Sequence, residues 1–286
     1  MSMYKLIIQG SDIATQNLKR LAQLAGASQI EAVRPGQLAH QAFKLSPANP
    51  AQLDAVHAFC AEAGYECACL PDPLPLSQIG LLVMDMDSTL ITIECIDEIA
   101  DMLGIKPQVA AITERSMRGE IDFRQSLTER VALLAGLDES ALKRVYTERL
   151  QLMPGAQTLL TALQKQGVKT LLISGGFTFF TDRLKARLGL TEAIANTLEV
   201  VDGKLTGRLL GELIDAQSKA DELVRLREEL GLRNDQVIAI GDGANDLKML
   251  AAAGFGIACH AKPLVRTQAR YCLDSVGLDG VLAFFD

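Results

Sequence analysis

Three short apolar runs, IGLLVMD (79–85), VKTLLIS (168–174) and QVIAIGD (236–242), constrain the fold more than any other feature of this chain. Each is apolar almost throughout rather than at alternate positions. That pattern predicts strands buried on both faces, as in a parallel sheet covered by helices on either side. Two of the runs follow helical patterns that stop at glycine, PGAQTLLTALQKQG and KADELVRLREELG. Every run ends in a polar residue beside a turn or glycine cluster. The chain is therefore expected to present polar groups along the carboxyl edge of an open α/β sheet, where such sheets bind ligands.

The spacing of the runs also predicts insertions. Asp85 and Ser174 lie 89 positions apart, whereas one crossover between parallel strands needs roughly 30 residues. The intervening stretch, from about 95 to 152, has a helical pattern and is read as a cap over the sheet edge. LEVVDGKLTGRL places Asp202-Gly203 between β-forming runs, which predicts a hairpin. Residues 1 to about 70 read as a separate small α/β unit. YKLIIQG forms its first strand, DIATQNLKRLAQLAG and PAQLDAVHAFCAEAG its helices, and YECACL a returning strand. The proline-rich PDPLPLSQ (71–78) then breaks regular structure. Domains are accordingly expected at 1–75 and 76–286.

Composition narrows the classes. With 286 residues, 49% of them hydrophobic, the chain can build sizeable cores. A formal net charge of −7 with interspersed signs lacks the basic stripe of a nucleic-acid binder. The six cysteines include no CxxC pair and are read as reduced thiols. MSMYKLIIQGSD has no apolar leader pattern, and no run is long enough to span a bilayer. The expectation is a soluble cytoplasmic protein with neither nucleic-acid nor membrane partners.

The strand ends carry the chemistry. Residues i and i+2 of an extended chain point the same way, so Asp85 and Asp87 can converge. Two converging carboxylates suit a hard divalent cation such as magnesium, which takes oxygen ligands and usually a phosphate as well. From these residues alone, a turn aspartate followed by a helix N-cap fits equally. Ser174-Gly175-Gly176 offers a hydroxyl and close backbone approach before a helix, the makings of an anion site, although turns use the same residues freely. Gly241-Asp242-Gly243-Ala244-Asn245-Asp246 adds a third acidic cluster. Lys219 sits where a helix begins, a position disfavoured for cations unless an anion is near; a lone lysine is ordinarily a solvated surface charge. All four features project from one sheet edge. Together they form a complete set for phosphoryl transfer.

Those residues resemble a known family. DMDSTL, ISGGF, Lys219 and GDGANDLKML are similar, in order and spacing, to the four motifs of the haloacid dehalogenase-like superfamily. The longer stretches DMDSTLITIECIDEIA and GEIDFRQSLTERVALLAG resemble the phosphoserine phosphatases within it, and the first 70 or so residues look similar to an ACT-like domain. The resemblance implies a Rossmann-like parallel sheet with a helical cap and a small β-hairpin cap, preceded by the small α/β unit. It implies magnesium-dependent hydrolysis of phosphoserine, the last step of serine biosynthesis. Asp85 would be the nucleophile and Asp87 the general acid/base, with Asp85, the Asp87 carbonyl and Asp242 on the metal. Ser174, Gly175, Lys219 and Asn245 would hold the phosphoryl group, with Asp246 supporting them. Glu94 and Arg130 would select the substrate beside an apolar wall of Met117 and Phe123. From the residues alone, Glu94 and Arg130 are ordinary charges on helix faces. A different small phosphomonoester, or a ligand-sensing regulator with an inactive phosphatase fold, are the competing functions. A homodimer is compatible with either.

Overall fold

The computed structural model describes residues 4–33, 38–71 and 74–285. Of the proline-rich stretch, residues 72 and 73 lie outside the described residues. The first unit runs β1 (Tyr4–Gly10), α1 (Thr15–Ala25), β2 (Gln29–Ala32), β3 (Gln41–Ala48), α2 (Leu53–Ala63) and β4 (Glu66–Pro71). Its sheet order is β2-β3-β1-β4, all antiparallel, the βαββαβ arrangement of ferredoxin-like units. Alternation along β1 gives the sheet two apolar faces. Leu6 and Ile8 pack with Leu18, Leu21, Val56 and Cys60 under the two helices. Ile7, on the opposite face, packs with Leu70 into the core shared with the rest of the chain.

The second unit is built on seven strands. In chain order come β5 (Leu81–Met84), α3 (Cys95–Met102), α4 (Lys106–Met117), α5 (Phe123–Ala132), α6 (Ser140–Arg144), α7 (Ala156–Lys165) and β6 (Lys169–Phe177). They are followed by α8 (Thr178–Leu188), β7 (Glu192–Val201), β8 (Lys204–Leu210), α9 (Ala216–Glu229) and β9 (Val237–Gly241). The unit continues through α10 (Leu247–Ala252), β10 (Phe255–Cys259), α11 (Pro263–Gln268) and β11 (Tyr271–Leu273). Sheet order is β11-β10-β9-β5-β6-β7-β8, parallel except for the β7–β8 pair. This is the Rossmann-like core expected from the apolar runs. The runs are apolar throughout because both faces are covered. Leu81, Val83, Leu171 and Ile173 pack with Leu223 and Leu226 of α9 and Met249 of α10. Leu82, Met84 and Leu172 pack on the other side with Leu159, Leu163 and Phe180.

Helices α3 to α6 leave the end of β5 as the inserted cap. The hairpin β7–β8 turns at Asp202 and Gly203, both with positive φ, the requirement of the tight turn that matches strand twist. It is also tied to the cap: the Gly136 N–H donates to Leu205 O at 2.8 Å, Leu205 N–H to Leu137 O at 2.8 Å, and Glu139 N–H to Gly203 O at 2.9 Å. The two units meet through the apolar face that carries Ile7 and Leu70 and along a row of hydrogen bonds beside it. Glu66 Oε1 on β4 accepts the backbone N–H groups of Asp274, at 2.8 Å, and Ser275. Asp279 Oδ2 accepts the Ala39 N–H at 2.7 Å and lies 3.8 Å from Nδ1 of His40, whose ring also hydrogen-bonds Gln9 of its own unit at 2.7 Å. Among the described residues no helix is long and apolar enough to cross a membrane.

Candidate active site

Strand order decides where the polar groups meet. β5 lies between β9 and β6, so the segments leaving the three expected runs are immediate neighbours. Asp85 follows β5, Ser174 and Gly175 lie in β6, and Asp242 follows β9. All four line one cavity of about 530 Å³ with Asp87, Glu94, Arg130 and Asn245. Met117 and Phe123 of the cap line it too. The backbone is extended at Asp85 (ψ 164°) and again at Asp87 (ψ 134°), with a turn beginning at Met86 between them, and both residues line the cavity. Ser88 then takes a left-handed φ of 56°, a conformation rare outside glycine and asparagine, which turns the chain into the cap.

Lys219 is 0% exposed and lies beneath the cavity floor. Its ammonium donates to Asp85 Oδ2 and Asp246 Oδ1, both at 2.8 Å. Asp215 caps α9 by accepting the Gln217 and Ser218 N–H groups at 2.9 Å. That fixes the first turn, from which Lys219 projects. The other oxygen of Asp246 accepts the N–H groups of Asp242 at 3.1 Å and Gly243 at 3.0 Å. Asp246 therefore has both oxygens engaged and braces the loop. Asp242 is oriented by Thr89, whose hydroxyl donates to its Oδ1 at 2.9 Å.

One oxygen from each of Asp85, Asp242 and Asp246 lies within 4.8 Å of the others. Burial and the neighbouring Asp246 carboxylate push Asp85 well above the usual carboxylate range, against the pull of Lys219. The same two causes raise Asp242 to about 6, opposed by the Thr89 hydrogen bond. Burial alone would pull Lys219 down, but Asp85 and Asp246 outweigh it and hold the ammonium protonated. One buried cation thus faces three buried carboxylates. An all-oxygen cluster left with net negative charge fits a hard divalent cation.

Asp87 sits in a different environment. Its Oδ1 accepts the Cys95 N–H at 3.2 Å. Burial, then the nearby Glu94 carboxylate, raises its pKa to about 7. A carboxyl poised near neutrality can both give and take a proton. The glycines after Ser174 leave little room for side chains: a Cβ on Gly176 would sit 2.9 Å from Asp87 Oδ2, and one on Gly175 would sit 3.2 Å from the Phe123 ring. The Gly176 N–H donates to Ser174 Oγ at 2.9 Å.

Glu94 accepts the Ser88 hydroxyl at 2.8 Å. Arg130 reaches the cavity from α5, its Nε donating to Ser126 O at 3.4 Å, and it has no ion-pair partner within 4 Å among the described residues. Burial lowers its pKa, while the carboxylates of Asp97, Glu94 and Asp87 support its charge. Every residue expected at the site is therefore at the cavity or directly beneath it. Thr89, Cys95 and Lys262 were not anticipated in these positions. Lys262 lines the cavity beside Asp242, whose carbonyl accepts its backbone N–H at 3.1 Å. Thr89 and Asp242 are 153 positions apart, and no local pattern announces that pairing.

A parallel sheet presenting buried carboxylates, a lysine and a glycine-lined hydroxyl under a helical cap defines a phosphoryl-handling hydrolase of the haloacid dehalogenase-like type. The chain belongs to that family, haloacid dehalogenase-like hydrolase, whose profile matches residues 82–251. It is 51% identical over 217 residues to a phosphoserine phosphatase of Polaromonas sp., covering 74% of this chain and 92% of that one. A solved HAD-family hydrolase from Salmonella enterica serovar Typhi superposes with a TM-score of 0.92 at 33% identity, over 100% of this chain and 99% of the other. A probable phosphoserine phosphatase from Vibrio cholerae gives a TM-score of 0.83 at 38% identity, over 98% and 86%. Residues 6–56 match a profile described only as a domain of unknown function. The motif resemblance to the phosphoserine phosphatases therefore holds, and the chain is an enzyme of the hydrolase class.

Proposed function

We propose that the chain hydrolyses O-phosphoserine to serine and phosphate through a phosphoaspartyl intermediate, with magnesium, as the last step of serine biosynthesis in the cytoplasm. One observation carries this most directly. Across one cavity, the strand-end cluster of Asp85, Ser174, Gly175 and Asp242 faces Glu94 and Arg130. A phosphate, an ammonium and a carboxylate are the three groups such walls recognise. Arg130 would grip the carboxylate as a planar fork and Glu94 would take the ammonium. Met117 and Phe123 would flank the short carbon body.

In the first half-reaction an Asp85 oxygen attacks phosphorus and the bond from phosphorus to the serine oxygen breaks. Asp87 gives its proton to that leaving oxygen. In the second, Asp87 takes a proton from water as the water oxygen attacks phosphorus, and the bond to Asp85 breaks to release phosphate. Ser174, the Gly175 N–H, Asn245 and Lys219 donate to the phosphoryl oxygens throughout. Asp85, the Asp87 carbonyl and Asp242 would hold the magnesium, which when bound offsets charge on the cluster and on the phosphoryl group. The cap would exclude bulk water from the acyl phosphate.

Catalysis would reside in 76–286, the part of the chain that carries the seven-stranded sheet and the cavity. The βαββαβ topology supports an ACT-like regulatory or dimerisation role for 1–75. Phosphate release from phosphoserine, measured against a panel of phosphomonoesters, tests the reading. Activity should require magnesium, vanish with EDTA, and vanish in Asp85→Asn while the thermal melt is retained. Turnover of phosphoserine no better than the panel would refute the substrate; substantial activity in Asp85→Asn would refute the nucleophile.

A further inference from the structure

We propose that Asn196 is the positioning residue that sets the two donor arms of the phosphoryl site against each other. This rests on the phosphoryl-transfer reading of that site. Asn196 lies on β7, 1% exposed, and touches neither the cavity nor the acidic cluster. Its Nδ2 donates to Gly175 O at 2.8 Å, and its Oδ1 accepts the Ile214 N–H at 2.9 Å. A carbonyl only accepts and a backbone N–H only donates, so the amide has one orientation that satisfies both partners.

The first bond replaces a missing ladder. β6 and β7 pair regularly up to Ile173–Ile194, and the next pair is Phe177–Asn196. Residues 174–176 bulge out of the sheet between those pairs and lose their backbone partners there. A carbonyl withdrawn from water without a partner is costly, and the Asn196 side chain satisfies the half-buried one on Gly175. That carbonyl and the Gly176 N–H belong to one planar peptide unit. Gripping the oxygen therefore fixes the N–H, which donates to Ser174 Oγ at 2.9 Å. The Ser174 oxygen already accepts a bond on that side, so its own proton is free to point toward a phosphoryl oxygen.

The second bond reaches the other arm. Ile214 immediately precedes Asp215, the residue that caps α9, and Lys219 projects from the first turn of that helix. Holding the Ile214 N–H sets where α9 begins relative to the bulge. One side chain thus spans the segment carrying Ser174 and Gly175 and the segment carrying Lys219. Its influence is confined to the phosphoryl end and is blind to the amino-acid end of the substrate.

The test uses the full chain with magnesium and two variants. Asn196→Asp keeps the acceptor for Ile214 and loses the donor to Gly175; Asn196→Ser loses both. Phosphoserine and an aryl phosphate are assayed as substrates, and inorganic phosphate is titrated as a competitive inhibitor. Misplacing donors by up to about 1 Å costs about 100-fold in rate. Both variants should lose roughly 10- to 100-fold in kcat, by the same factor for the two substrates, with phosphate binding about tenfold weaker. A purely structural role would lower the folded fraction and leave the phosphate inhibition constant unchanged, and that result would overturn the proposal. Failure of both variants to fold would overturn it too, because the role assigned is local. If the wild type hydrolyses the aryl phosphate but not phosphoserine, the substrate reading fails while the phosphate titration still decides the role of Asn196.

Discussion

Lys219→Met probes the charge balance under the active site. The substitution keeps most of the apolar stem, slightly shortened, but removes the buried ammonium that faces three buried carboxylates. Lys219 makes two contacts of 2.8 Å, to Asp85 and Asp246, from a fully buried position. Deleting one partner of a buried ion pair costs about 3–5 kcal/mol, which predicts a deficit of that size in urea unfolding at pH 8 in EDTA. The pH dependence identifies the cause. The Lys219 pKa is raised by folding, so its own contribution is fully present below about 10.4, the ordinary lysine value, and is constant between pH 5 and 8. Asp85 is raised well above the usual carboxylate range even with Lys219 present. Removing the lysine raises it further, and a raised carboxyl contributes stability at low pH that is lost as pH climbs through its folded value. The penalty for any one carboxylate cannot exceed the cost of holding it protonated, about 1.4 kcal/mol for each pH unit above 3.9. That ceiling is roughly 1.5 kcal/mol per group at pH 5 and roughly 5.6 at pH 8. The difference between variant and wild type should therefore shrink markedly as pH falls. A deficit below about 1 kcal/mol at pH 8, or an equal deficit at both pH values, would refute the view that Lys219 neutralises the cluster.

Two further outcomes follow from individual side chains. Asp87→Asn should abolish turnover yet stabilise the metal-free protein at pH 8, because burial raises the Asp87 pKa to about 7 and the ionised form opposes folding above it. The gain, at most about 4 kcal/mol at pH 8 from about 1.4 kcal/mol for each pH unit between 3.9 and 7, should shrink to about 1.5 kcal/mol at pH 5, and thermal melts across that range would show a pH-independent gain if the assignment is wrong. Arg130→Lys should raise the KM for phosphoserine by about 10-fold or more, since the ammonium cannot form the two-pronged contact, while hydrolysis of an aryl phosphate is spared. Equal losses on both substrates would place Arg130 at the phosphoryl end instead.

The core of this fold was readable because its strands carry their burial in the sequence. IGLLVMD, VKTLLIS and QVIAIGD are apolar on both faces, and their last residues stand at the site. Elements held by partners rather than by their own pattern were not readable. β2 has four exposed residues, and β3 contains Lys44 and Pro47, which blur alternation and discourage a strand assignment. β6 was expected to end at Ser174 but runs to Phe177, because the glycine segment bulges and then rejoins β7. Asp85 and Asp87 could be placed from their spacing. Glu94 and Arg130 could be placed only through family resemblance, since charges on helix faces look alike until a cap folds them over a cavity. Thr89, Cys95 and Asn196 act through tertiary contacts and leave no local trace.

The seam between the two units has a consequence in time as well as in space. Glu66 and its donor partner Asp274 are 208 positions apart, and Ala39 and Asp279 are 240 apart. At about 5–20 residues per second, Glu66 emerges roughly 10–40 s before the backbone it will grip. The βαββαβ unit has its own core beneath α1 and α2 and can form in that interval. Its Ile7 face and the β4 edge must meanwhile stay clear of other chains. The phosphatase sheet is therefore both an enzyme core and the late-arriving cover for a surface made much earlier, and slowed synthesis between the two would prolong the period in which that surface is open to association.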